Sequence, residues 1–257
     1  MIDKFMESRS IGRDVLVNPG YTPNQAVVGY QDSGPLDANE LVGIIPAWHT
    51  HLEEPTYKAL AFWLGQQGFA VRRYDLSDHI LSPSLEDTLA SHKHTQDYVA
   101  DDLEKIVESR GYRAVHLFGE SIGVVSEALI ADRLSAFTTA TIVCGSSNLA
   151  LSMWHGSRTV RVRQELQEQG VDARTIDEAW HDLAPKTHVK AFSGKPVRMI
   201  ISLNDTIVPT VYQHEMATEL VGAGSRLQVR YTRLGHYAAI GRFRLFPDWV
   251  PNVSRYR

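Results

Sequence analysis

Short apolar runs rich in β-branched residues alternate along this chain with stretches of helical spacing, and that alternation leaves few folds open. "AVVGY" (Ala26–Tyr30), "LVGIIPA" (Leu41–Ala47), "AVRRYD" (Ala70–Asp75) and "AVHLFG" (Ala114–Gly119) read as strands. So do "ATIVCG" (Ala140–Gly145), "VRMIISLND" (Val197–Asp205) and "LQVRYTRLGH" (Leu227–His236). Pro55 opens a helix at its first position, where a missing N–H costs nothing. Tyr57, Leu60, Ala61 and Leu64 form its inward stripe, and Gly65 and Gly68 are expected to end it. Val99, Leu103 and Ile106 share a face of the next helix; further helices are expected from Ile122 and near Pro209. The pattern predicts an α/β fold: a mostly parallel central sheet with helices on both faces.

One interval breaks the rhythm. Ser146 to Gly194 contains no strand signal, but Val162 and Leu166 lie four apart before Gly170. Thr175 with Glu178 reads as a capping box ahead of Ile176, Ala179, Trp180 and Leu183. Residues 146–194 are therefore read as a small helical cap inserted between strands of a single domain, 1–257. A net charge of −4 gives no basic excess for nucleic acid. No run approaches the 18 or so apolar residues of a membrane span, and "MIDKFMESRS" has no apolar core of a signal peptide. The single cysteine, Cys144, excludes an internal disulfide, fits a reducing, cytoplasmic compartment and reads as a small buried hydrophobe. Oligomeric state leaves no signature.

The chemistry centres on Gly119-Glu120-Ser121-Ile122-Gly123, directly after a strand run and directly before a helix-forming run. A sharp strand-to-helix turn lifts a serine hydroxyl above the sheet, and small flanking residues let the backbone pass closely. The new helix aims its N-terminal N–H groups at the same space, which favours a developing negative charge. Serine needs a base, itself held by an acid. Asp205 lies just beyond one strand run and His236 just beyond the last, so the order is Ser…Asp…His, all at carboxyl ends of strands. His49-Thr50-His51 and His92-Lys93-His94 have metal-like spacing, but no strand holds either pair and no third ligand is evident; no metal or cofactor is expected.

"GESIG", "NDTIVP" and "LGHY" resemble the α/β-hydrolase superfamily of serine hydrolases, and the likeness runs from about Val27 to His236. "YKALAFWLGQQGFAVRRYDLSDHILS" is similar to the helix-strand-loop before the nucleophile in lipases, esterases and acyl-thioester hydrolases. "VRRYD…H" and "HVKAFSGKPVRMIISLND" resemble the acyl-transferase/thioesterase group that releases fatty acids from acyl carriers. The resemblance implies Ser121 as nucleophile, Asp205 as orienting acid and His236 as base.

It further implies a small-molecule carboxylic ester or acyl thioester as substrate, an acyl-carrier partner being one version. The alternatives are an acyltransferase on the same triad, a peptidase, or a binding protein that has lost turnover. Two departures stand out. The usual His-Gly after the third strand is replaced by Pro46-Ala47, so the oxyanion donors are assigned to Ile122 and Trp48, with His49 or Thr50 as alternatives to Trp48. Asp78 and Ile80 replace glycines in "DLSDHILS". His49 is placed at the cleft entrance, and Trp154 and Trp180 are candidates for an acyl pocket, with anchoring of the cap to the sheet as the alternative. Arg158, Arg161 and Arg163 are read as a solvated face, with a carrier phosphate or acidic partner as the alternative.

Overall fold

The structure, a computed structural model, describes residues 27–247. Ala26, at the head of the first expected strand, and the N-terminal decapeptide lie outside the described residues. The strands are β1 (Val27–Ser33), β2 (Glu40–Ile45), β3 (Ala70–Leu76), β4 (Ala114–Glu120), β5 (Phe137–Val143), β6 (Pro196–Ser202) and β7 (Arg226–Thr232). They form one sheet in the order β1-β3-β2-β4-β5-β6-β7. Every pairing is parallel except β1 with β3. β4 sits at the centre with all seven residues buried, as expected of a strand covered on both faces.

The helices are α1 (Pro55–Gln66), α2 (Leu85–Arg110), α3 (Gly123–Arg133), α4 (Leu149–His155), α5 (Val160–Glu168), α6 (Ala173–Ala179), α7 (Thr210–Gly222) and α8 (His236–Leu245). In α1 the buried residues are Tyr57, Leu60, Ala61 and Leu64, the expected stripe. Gly65 does not end that helix. It occupies the last turn, where an added Cβ would lie 3.1 Å from the Gly34 Cα, so its role is close packing. Val99 and Leu103 of α2 are buried, with Ile106 packed against the same cluster. None of the described helices is long and apolar enough to cross a membrane.

Strand ends differ from the sequence reading for local reasons. β2 stops at Ile45 because Pro46 has no N–H for the ladder. β5 stops at Val143 because Cys144 turns to a φ of 51°. β7 stops at Thr232, so Arg233–Gly235 form a loop and His236 begins α8.

Between β5 and β6 the regular elements are all helical, with short 3-10 segments at His181–Leu183 and Pro185–Phe192 joined by turns. α4 was not foreseen: Asn148 caps it by accepting from the Leu151 N–H at 2.9 Å, but its apolar residues show no one-sided spacing. The capping of α6 differs from expectation. Asp172 is the cap, accepting from both the N–H and the hydroxyl of Thr175, which leaves Thr175 inside the first turn. A carboxylate three residues upstream reaches those donors first. The helical segment is joined to the sheet edge by its own apolar cluster, in which Leu149, Met153, Leu166 and Trp180 meet Ile122 and Val125.

Two buried polar groups brace this framework. Arg244 of α8 donates to both oxygens of Glu120, the last residue of β4, and to Thr50, Thr56 and Glu54. Burial alone would disfavour the guanidinium charge, and Glu120 together with Glu54 more than offsets it. His92 of α2 is fully buried beside the Ser126 hydroxyl at 3.2 Å, and burial lowers its pKa to about 3.

Removing one partner of a buried pair strands the other. Arg244→Met should therefore destabilise the fold by about 3–5 kcal/mol in urea unfolding, and more than the double variant Arg244→Met/Glu120→Gln. The His92 imidazole, with its folded pKa below the free value of 6.5, binds fewer protons folded than unfolded between pH 6.5 and 3. Its contribution is full above pH 6.5 and drains as pH falls. The stability difference between wild type and His92→Leu should thus shift against wild type by about 2 kcal/mol from pH 7 to pH 5. An unchanged difference would show that His92 takes up its proton equally in the folded and unfolded states, and so that burial does not depress it.

Candidate active site

Ser121 sits in the turn between β4 and α3 at a φ of 53°, a left-handed conformation that non-glycine residues avoid. The turn closes only because its flanks are bare. A Cβ on Gly119 would meet the Glu127 carboxyl at 2.3 Å, and one on Gly123 would meet the carbonyl oxygens of Ile45 and Pro46 at 2.4 and 2.5 Å. The Ser121 N–H donates to Val143 at 2.9 Å and its carbonyl accepts from Val124 at 3.1 Å, tying the turn to β5 and to the first turn of α3. Burial pushes the Glu127 carboxyl well above its ordinary range, although the Gly119 and Thr141 backbones favour its charged form. The carboxyl packs over the bare glycine, where burial favours its neutral form.

The three residues that sequence order linked, far apart in the chain, meet here. His236 Nε2 lies 2.9 Å from Ser121 Oγ, and its Nδ1 lies 2.7 Å from Asp205 Oδ2. Asp205 is the only acceptor-only partner in that row, so Nδ1 carries the proton donated to it, and Nε2 is left to accept from the serine hydroxyl. All three are buried.

Each is held from behind. Asp205 Oδ1 accepts from the N–H groups of Ile207 and Val208, both at 2.9 Å, and Oδ2 also accepts from Gln213 Nε2. Gln213 in turn donates to the Val208 carbonyl and accepts from the Ser202 N–H, locking the loop that carries the acid. The loop before His236 is pinned by Asn204, which donates to the Arg233 carbonyl at 2.7 Å, and by Ser202, which donates to the Leu234 carbonyl. No sequence pattern pointed to Gln213: a glutamine in the first turn of a helix is a common surface residue.

These groups open on a cleft. Trp48 and His49 form one wall, and Leu81, Val125, Leu149 and Met153 supply an apolar lining. Among the described residues the backbone N–H groups of Ile122, Trp48 and His49 donate to no protein acceptor, whereas that of Thr50 is spent on the Ala47 carbonyl at 3.1 Å. The contact of Gly123 with Ile45 and Pro46 brings the start of this turn against the N-terminus of α3.

The departures seen in "DLSDHILS" have a purpose. The Asp78 carbonyl accepts from the Trp48 indole at 2.8 Å, and its carboxylate lies 2.6 Å from His49 Nδ1. Asp75 likewise holds His51 at 3.0 Å, which raises the His51 pKa. So the loop after β3 grips the turn after β2.

Trp154 and Trp180 do not reach the cleft wall. Trp180 is buried, and its indole donates to the Leu85 carbonyl at 3.0 Å, anchoring the helical segment to the start of α2. Trp154 packs on the same cluster, and its carbonyl accepts from Arg163. Their width fills the joint between segment and sheet rather than the space above Ser121.

His92 and His94 lie on one helix two residues apart, on different faces, and bind no common point. The described residues do include a set of potential metal-ligand atoms within 4.8 Å of one another: Cys144, Asp205 and His236. Burial pushes the Cys144 thiol well up, so it stays protonated, the wrong state for a metal ligand. The Asp205 and His236 atoms already bond each other.

No protein-family model matches the chain, and no curated protein sequence does. Solved structures do. A Pyrococcus horikoshii acylaminoacyl peptidase superposes with a TM-score of 0.68 at 11% identity, over 95% of this chain and 41% of the peptidase. The chain thus spans about two fifths of that protein's length. A cold-adapted esterase from an Arctic intertidal metagenomic library gives 0.63 at 13% identity, over 91% of this chain and 88% of that one. A Pyrococcus furiosus esterase gives 0.61 at 13% identity, over 96% and 95%. These neighbours are hydrolases with little sequence in common with this chain, and what they share with it is architecture: the chain has the α/β-hydrolase fold.

Proposed function

We propose that this protein is a serine hydrolase that cleaves a carboxylic ester or acyl thioester through an acyl-enzyme. The observation that carries the reading is the hydrogen-bonded row from Ser121 through His236 to Asp205. His236 Nε2 takes the hydroxyl proton as Ser121 Oγ attacks the carbonyl carbon. Asp205 stays ionised and stabilises the imidazolium. The proton then passes to the leaving alcohol or thiol, and water repeats the cycle on the acyl-serine. The oxyanion is held by the N–H groups of Ile122 and Trp48. Both are unengaged within the described protein and line the cleft, and each donor is worth about 3 kcal/mol in the barrier. Trp48 is preferred to His49 because it is nearer the stretch that touches α3. The acyl group lies against Leu81, Val125, Leu149 and Met153. The helical segment 146–194 acts as the cap of a single hydrolase unit, since its residues furnish much of that wall.

A fluorophosphonate probe should label the wild-type protein and not Ser121→Ala. A folded wild type that takes no label would point to a binding protein instead. Across p-nitrophenyl esters, acyl thioesters and anilides of graded acyl length, ester and thioester turnover should exceed amide turnover. Asp205→Asn should lower kcat by about 10⁴ with little change in KM, because the wrong imidazole tautomer faces the serine. A loss below tenfold would remove Asp205 from the proposed row.

A further inference from the structure

Three arginines stand together in sequence at 158, 161 and 163, and the structure separates them. Arg161 pairs with Glu165 four residues on, and Arg163 donates to the Trp154 carbonyl. Arg158 alone lines the cleft that holds Ser121, and among the described residues its side chain has no hydrogen bond or ion pair. Its backbone is held on both sides. The Ser157 N–H donates to the Thr206 carbonyl at 2.8 Å and the Ser157 hydroxyl lies 3.1 Å from that of Thr206, next to Asp205. Thr159 donates its hydroxyl to the Met153 and Gly156 carbonyls. The guanidinium therefore hangs from a fixed base, beside the acid loop of the triad, with its donors unspent.

The rest of the lining makes this charge conspicuous. No Asp or Glu lines the cleft, and the hydroxyls of Ser146, Ser152 and Thr159 are donated to backbone carbonyls. Arg158 is exposed at the cleft, and an unpaired guanidinium in a lining that holds no carboxylate has one evident use. We propose that Arg158 binds a carboxylate on the substrate, so that the esters or thioesters hydrolysed at Ser121 are half-esters of diacids or related acyl groups with a free carboxylate. This rests on the hydrolase reading above. A planar guanidinium matches a carboxylate with two parallel N–H···O bonds. One cation balances one negative charge, which suits a carboxylate better than a phosphate dianion. Water, rather than a second charge, is the co-reactant, and the distal carboxylate takes no part in bond making.

Matched substrates test this: p-nitrophenyl butyrate and mono-p-nitrophenyl glutarate, with wild type, Arg158→Gln and Arg158→Lys. The kcat/KM ratio of anionic to neutral ester should fall by about tenfold or more in Arg158→Gln, mainly through KM, and recover in part in Arg158→Lys. An unchanged ratio overturns the proposal while leaving ester hydrolysis intact. A second readout does not need turnover. Calorimetric titration of Ser121→Ala with monomethyl glutarate should show binding that weakens about tenfold when Arg158→Gln is added. Binding that depends on Arg158 in a protein whose wild type cleaves no ester would keep the carboxylate site and reject the hydrolase reading. Tighter binding of methyl phosphate than of monomethyl glutarate would overturn the choice of carboxylate.

Discussion

Everything at the site depends on one backbone turn. Ser121 is held at a φ of 53°, at a cost that the fold must cover elsewhere, so that its hydroxyl stands clear of the sheet and meets His236. The turn is over-determined by its neighbours. Val143 receives its N–H, Gly123 lets α3 press on the end of β2, and Gly119 leaves room for the carboxyl of Glu127. The same close approach that forces glycine at 123 sets the turn after β2 against the helix N-terminus, where the N–H groups of Ile122 and Trp48 donate to no acceptor among the described residues. The strain at Ser121, the placement of its hydroxyl and the unengaged N–H groups beside it are thus one structural event.

The scaffold around that turn is fastened by charge as much as by apolar packing. Arg244, from the last described helix, reaches Glu120 immediately before Ser121 and Thr50 in the turn after β2, and so ties three remote pieces of chain together inside the protein. Asp78 and Asp75 fasten the same turn from the solvent side. Behind Asp205, Gln213 spends its whole amide on the end of β6 and the loop that follows it. A buried polar network of this kind is costly to leave half made, which favours a single arrangement of the loops over many.

How much of this was visible in the sequence follows from the range of each interaction. The stripe Tyr57, Leu60, Ala61, Leu64 is a matter of helical period, and all four are buried. "GESIG" between a strand run and a helix run carries its own geometry, because bare flanks and a sharp turn are local needs. α4 escaped because a helix apolar on several faces has no period, and α6 starts three residues early because Asp172 accepts the Thr175 N–H and hydroxyl and draws Thr175 into the first turn. For Trp154 and Trp180 the sequence leaves two uses open, lining an acyl pocket or anchoring the cap to the sheet. A wide apolar side chain serves a joint between layers equally well, and only packing tells the two uses apart.

Period, strand-to-helix punctuation and residue order along the chain were thus enough for an α/β layer structure, and for three residues delivered to the same edge of its sheet. Those are properties of segments a few residues long, governed by backbone sterics and by which face must avoid water. Tertiary structure alone decided which arginine of three faces the cleft, that Glu120 meets a cation 124 residues away, and that Asp78 grips the turn after β2. Those contacts depend on the angles at which distant elements pack, and the same side chains in a slightly different packing would have met water instead.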